Sequence, residues 1–203
     1  MISFRLFVLA LLVGFAGSAA HADAPAPRAV VEKFHVSLLE AMQKAKTLGY
    51  QGRYGLLKPA VDVTFDLPAM AEVAGGPPWR NLTDEQKKQF VDVFKRYTYA
   101  TYASRFDGYD GERFETTGEQ PGRNSTVLVN TQLVRPKDEP IALNYLVHQT
   151  EEGPRVIDVF LKGAFSELAS KRSEYVAVIQ RDGFPALISR LEAKIADYAN
   201  ARK

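Results

Sequence analysis

The sequence predicts an α+β protein in which a twisted antiparallel sheet packs against several helices. Three observations lead there. Apolar residues recur at threes and fours over the first hundred residues and again after Gly163. Between those regions, three stretches alternate apolar and polar residues one by one. The links between these stretches are short, so consecutive strands pair antiparallel. Helices placed before and after such a sheet give α+β, not an alternating α/β chain.

The first helix is expected over Arg28 to Leu48, with Val30, Val31, Phe34, Leu38, Ala41, Met42, Ala45 and Leu48 on one stripe. Gly49 and Gly52 stop it. Arg53 to Val63 reads as a second helix, with Pro59 as a break near its middle. Asp66-Leu67-Pro68 opens a third, with Asp as N-cap and Pro in the first turn, running to about Ala74. Thr83 and Gln86 form a capping box at the head of the longest helix, which runs to about Phe106.

Strands follow. Asn124 to Val134 places Val127, Val129, Thr131 and Leu133 on one face. Ile141 to Thr150 places Ile141, Leu143, Tyr145 and Val147 together. Glu151 to Pro154 is a hairpin turn, and Arg155 to Lys162 is the next strand. Arg113 to Thr117 adds an edge strand. The helical period returns over Leu168 to Gln180 and from Phe184 to about Asn200.

Composition narrows the function. Hydrophobic residues are 46% and charged residues 25%, an ordinary globular balance. A net charge of +2 over 203 residues gives no electrostatic footprint for nucleic acid. The absence of Cys removes disulfides, thiolate nucleophiles and Cys-based zinc sites. At the N-terminus, Arg5 precedes an apolar run from Leu6 to Phe15, followed by Ala20-His21-Ala22. Residues 1–22 therefore read as a cleaved signal peptide, whose apolar run is too short to span a ~30 Å hydrocarbon core as a helix. Residues 23–203 form a single exported domain with a proline-alanine leader at its start.

The ingredients for catalysis are thin. His21 leaves with the signal, and His35 and His148 are not spaced as a metal site. No Ser lies in a G-x-S-x-G elbow, and no glycine-rich phosphate loop is present. No metal and no cofactor is expected. Asp158, in the apolar strand Val156-Ile157-Asp158-Val159, carries two readings. One is a general base on an apolar substrate, its pKa raised by desolvation, with His148 as the other candidate base. The other is a structural carboxylate, paired with Arg172 or with backbone N–H groups after Gly163. The structural reading is favoured, because an unpaired buried carboxylate costs several kcal/mol and no second catalytic group is in sight. The chain is read as a non-enzyme.

Twelve Phe and nine Tyr crowd the long helix and the strands. They fill a core, or they leave between helix and sheet an apolar cavity suited to an apolar ligand. A third possibility is an adaptor that binds only protein through shallow apolar patches.

A series of motifs has a family likeness. Trp79-Arg80-Asn81-Leu82-Thr83 with Gln86, Phe90 and Phe94 resembles the W-x-x-L-T-x-x-Q-x-x-x-F-x-x-x-F signature of the toluene-tolerance (MlaC) family. Arg53, Leu57, Pro59, Phe65 and Asp66 resemble its upstream stretch. Val156 to Val159 with Gly163 to Ser166, Arg172 to Tyr175, and Gly183 to Leu191 resemble its later segments. Ser166 to Ala169 followed by Arg172-Ser173-Glu174 is most similar to the hopanoid-associated HpnM subgroup. Arg155 stands where many members have Trp, and Gly163 to Ser166 holds an extra residue.

The resemblance implies a periplasmic carrier that buries the tails of a phospholipid or hopanoid in a deep apolar pocket. It also implies partners: an inner-membrane lipid transporter complex and an outer-membrane lipoprotein complex. The expected lining comes from one helix stripe and one face of each strand. The helix gives Phe90, Phe94 and Tyr97. The strands give Val127, Val129 and Leu133, then Leu143, Tyr145 and Val147, then Ile157, Val159 and Leu161. Phe184 and Leu187 close the pocket.

Overall fold

The computed structural model describes residues 26–200, so the expected signal segment 1–22 lies outside the described residues. The architecture is α+β. Helices α1 (Pro27–Gln43), α2 (Ala45–Thr64), α3 (Leu67–Gly75) and α4 (Asp84–Arg105) come first. Strands β1 (Arg113–Pro121), β2 (Val127–Val134), β3 (Ile141–Thr150), β4 (Gly153–Leu161) and the two-residue β5 (Phe165–Ser166) follow. Helices α5 (Glu167–Asp182) and α6 (Phe184–Asn200) complete the fold. The five strands form one antiparallel sheet in the order β1-β2-β3-β4-β5, so every neighbour in space is a neighbour in sequence. No helix among the described residues is long and apolar enough to cross a membrane.

Helix starts follow side-chain chemistry. Thr83 and Gln86 form the reciprocal capping box of α4: Thr83 N–H donates to Gln86 Oε1 at 2.9 Å, and Gln86 N–H donates to Thr83 Oγ1 at 3.2 Å. Asp66 caps α3 by accepting from Ala69 N–H at 3.1 Å.

Two expectations about the first helices need correction. The stripe over Arg28 to Leu48 is not one helix: α1 ends at Gln43 and α2 begins at Ala45, with Gly49 at φ 58°, ψ −171° kinking its first turn. Pro59 does not break α2. Pro59 and Gly55 are both exposed, so the carbonyl of Gly55, deprived of its N–H partner, faces water. The short 3₁₀ turn Pro77–Asn81 and strand β5 have no counterpart in the sequence reading, and β1 runs four residues beyond its expected end.

The chain crosses from α2 back to the sheet through Phe65, which bridges Val156 in parallel, with Asp66 N–H donating to Val156 O at 2.9 Å. Arg155 fixes this junction from the β4 side. Its guanidinium donates to the carbonyls of Asp62, at 3.0 Å, and Val63, occupying two acceptors at the C-terminus of α2. Phe34 then packs edge to face on both Phe65 and Tyr102, 5.1 Å from each. This aromatic cluster joins α1, α4 and the sheet.

The β3–β4 ladder contains a bulge. Leu146 faces Asp158 and Val147 faces Val156, so Ile157 has no opposite number. Beyond the bulge, Tyr145 faces Val159 and Leu143 faces Leu161. The inner face of β4 is therefore Val156, Val159 and Leu161. Ile157 is half-buried and outside the main core.

Candidate functional site

A cavity of about 600 Å³ lies between α4 and the inner face of β2, β3 and β4. The sheet wall is Leu133, Ile141, Leu143, Tyr145, Val159 and Leu161. The helical wall is Phe94, Thr98, Thr101, Tyr102 and Arg105 of α4, with Leu168 of α5 beside it. Met42, Phe65 and Met70 line it where α1 and α3 approach. The loop from Phe106 to Glu112, together with Lys46, Arg135, Glu167 and Lys171, carries the polar lining.

The apolar walls make few polar demands. Thr98 and Thr101 donate their hydroxyls to their own helix, to Phe94 O and Tyr97 O, both at 2.8 Å. Tyr145 has its hydroxyl 3.2 Å from Nε2 of buried His35. Burial pulls the His35 pKa down to about 4, outweighing the pull of Glu32, so the imidazole is neutral at pH 7. Burial likewise holds the Tyr102 and Tyr145 phenols above their usual range. Apart from Arg105 at the end of α4, no ionised group among the described residues stands in these walls near neutral pH. An enclosure of that kind selects for hydrocarbon.

Charge gathers elsewhere on the lining. Arg105 lies 3.5 Å from Glu167, and Arg135 lies 3.3 Å from Asp138 just outside the cavity. Tyr109, in the loop after α4, is exposed. The cavity thus joins an apolar interior to a charged lining open to water.

Of the residues expected to line a pocket, the structure brings six together around this cavity: Phe94, Leu133, Leu143, Tyr145, Val159 and Leu161. The others lie elsewhere. Phe90 is fully buried in an aromatic cluster with Trp79, Phe94, Tyr175 and Phe184, and Leu187 is buried on α6. Tyr97 stacks on Tyr198. Val127, Val129 and Val147 belong to the filled end of the sheet, and Ile157 sits in the bulge. Ile141 shares a strand face with Leu143 and Tyr145, so its place was readable by phase. Thr98, Thr101 and Arg105 were harder to read, because they do not look like pocket residues. Phe65, Met70 and the loop residues enter only through tertiary approach.

Asp158 and His148 do not line the cavity. Asp158 Oδ1 accepts from Val159 N–H at 2.7 Å and Leu168 N–H at 3.1 Å, and Oδ2 accepts from Ser166 Oγ at 2.5 Å. His148 Nε2 lies 3.0 Å from Asp66 Oδ2.

The sequence profile of the MlaC protein family matches residues 32–193, most of the chain. The chain belongs to the MlaC family. No curated protein matches it. Among solved structures, it is similar to a phospholipid-binding protein from Ralstonia solanacearum that was solved in complex with a phospholipid. That likeness has 22% identity and a TM-score of 0.75, and covers 87% of this chain and 100% of the other. At that identity the likeness establishes a shared fold. The MlaC fold accounts for the sheet, the helices and their order.

Proposed function

We propose that this MlaC-family chain is a periplasmic lipid carrier made of a single lipid-binding domain behind a cleaved export signal at residues 1–22. It shields the apolar tail of a phospholipid or hopanoid while the lipid passes between an inner-membrane transporter complex and an outer-membrane lipoprotein complex. The observation that carries the reading is the apolar-walled cavity of about 600 Å³ with a charged, water-facing lining. Family membership and the phospholipid-bound neighbour support it.

The energetics suit a ferry. Each CH₂ moved from water into an apolar wall is worth ~0.8 kcal/mol, so a long acyl chain gains on the order of ten kcal/mol. Ordering costs offset part of this, which keeps the exchange reversible. Release then needs a partner that holds the lipid better, or one that favours an emptied state. Phe94, Leu133, Leu143, Tyr145, Val159 and Leu161 are the proposed tail contacts.

Native mass spectrometry of protein isolated from its own host tests the proposal. A lipid adduct is expected on the wild-type chain, and a much smaller one on Leu143→Trp, in which an indole intrudes on the tail path. A folded wild-type protein with no adduct, unable to take up lipid from vesicles, would remove the carrier reading.

A further inference from the structure

Among the groups lining the cavity, Lys171 is in an unusual position. It projects from α5, is half-buried, and no described carboxylate pairs with it. The two acids nearest on its own helix are engaged elsewhere, Glu167 with Arg105 of α4 and Glu174 with Lys194 of α6 at 2.8 Å. Its ammonium instead rests over the Tyr97 ring, 4.5 Å from the centroid. A cation–π contact of this kind is a modest substitute for a counter-ion. Desolvation lowers the Lys171 pKa to about 8, against the opposing pull of Glu167, with Arg105 and Lys194 adding to the lowering and Glu174 opposing it.

A half-buried cation beside an apolar cavity, without an acidic partner, is matched best by an anion held on a hydrocarbon chain. We infer that Lys171 is the specificity residue of the cavity, pairing with an oxyanion, phosphodiester or carboxylate, at the polar end of a bound amphiphile. The inference rests on the carrier reading and sharpens it: charged amphiphiles load in preference to uncharged ones of the same chain length. Lys46, also on the lining, adds charge of the same sign from an exposed position. The pairing keeps Lys171 protonated, so preference for the anion weakens only as pH rises past about 8.

The test measures binding of three ligands that share one palmitoyl chain: palmitate, palmitoyl lysophosphatidylglycerol and uncharged monopalmitoylglycerol. Wild type is expected to bind at least one anionic ligand about tenfold or more tighter than the uncharged one. Which anion shows the preference separates carboxylate from phosphodiester. Lys171→Met should lose that preference while still binding monopalmitoylglycerol, and Lys171→Arg should restore most of it. If wild type binds all three equally, or Lys171→Met keeps the preference, the inference about Lys171 falls and the carrier reading stands. If wild type binds none of the three, the carrier reading falls with it.

Discussion

Ser166 Oγ donates to Asp158 Oδ2 at 2.5 Å while accepting from Ala169 N–H at 2.8 Å. The two side chains clamp the start of α5 to strand β4. Asp158 reaches Leu168 N–H in the same first turn, and Leu168 and Lys171 of that helix line the cavity. The carboxylate therefore holds one wall of the cavity in place from behind. Burial raises its pKa, and the bonds from Ser166, Leu168 and Val159 pull it back only in part.

Asp158→Ala removes an acceptor from three donors and should destabilise the protein by about 2–4 kcal/mol. Asp158→Asn, which keeps one acceptor oxygen, should cost roughly half as much. Urea unfolding midpoints measure both. An unfolding curve unchanged by Asp158→Ala would reopen the catalytic reading of this carboxylate.

The pH dependence of stability should carry the signature of His35. Its folded pKa, about 4, lies below the ordinary histidine value of 6.5. The unfolded chain thus binds the proton more readily, and stability falls as pH drops from about 6.5 towards 4. The full effect amounts to about 3 kcal/mol. His35→Phe should flatten this part of the profile, whatever its effect on stability at pH 7. Chemical unfolding at half-unit steps in pH would show the slope; a wild-type profile flat over that range would contradict the assignment.

Two glycines separate backbone strain from crowding. Gly49 and Gly76 both have φ 58°, with ψ −171° and −151°, a region close to glycine-only. A Cβ at Gly49 would meet nothing within 4 Å, whereas one at Gly76 would lie 2.7 Å from Val176 Cγ2 and 3.2 Å from Arg172 Nε. Gly49→Ala should cost about 1–3 kcal/mol from the backbone alone. Gly76→Ala should cost clearly more. Thermal melts of the pair, compared side by side, give the difference.

Much of the architecture was legible in residue chemistry. The Thr83 and Gln86 pair fixes where α4 begins, and the period-two pattern over Ile141 to Thr150 marks β3 from end to end. What escaped has identifiable causes. Gly49 signals a stop, yet the chain kinks there and resumes its helix. The bulge at Ile157 leaves no mark in Val-Ile-Asp-Val-Phe, where every apolar residue suits a strand, so the phase of β4 was set one residue off before the bulge. Phe90 and Phe94 share a type and a helix, yet Phe94 lines the cavity and Phe90 fills a cluster next to it. A cavity is space that side chains decline to fill, and no residue type encodes that by itself.

Helix α1 precedes by a long stretch of chain the sheet that covers one of its flanks. His35 meets Phe114 of β1 and Tyr145 of β3, the second 110 residues further along the chain. Closing so long a loop is slow compared with zipping the hairpins of the sheet. While the polypeptide emerges from a ribosome, that flank of α1 has no native surface to rest on. Its seating belongs to a late stage of maturation, after the strands have assembled, and the cavity cannot acquire its final outline before then.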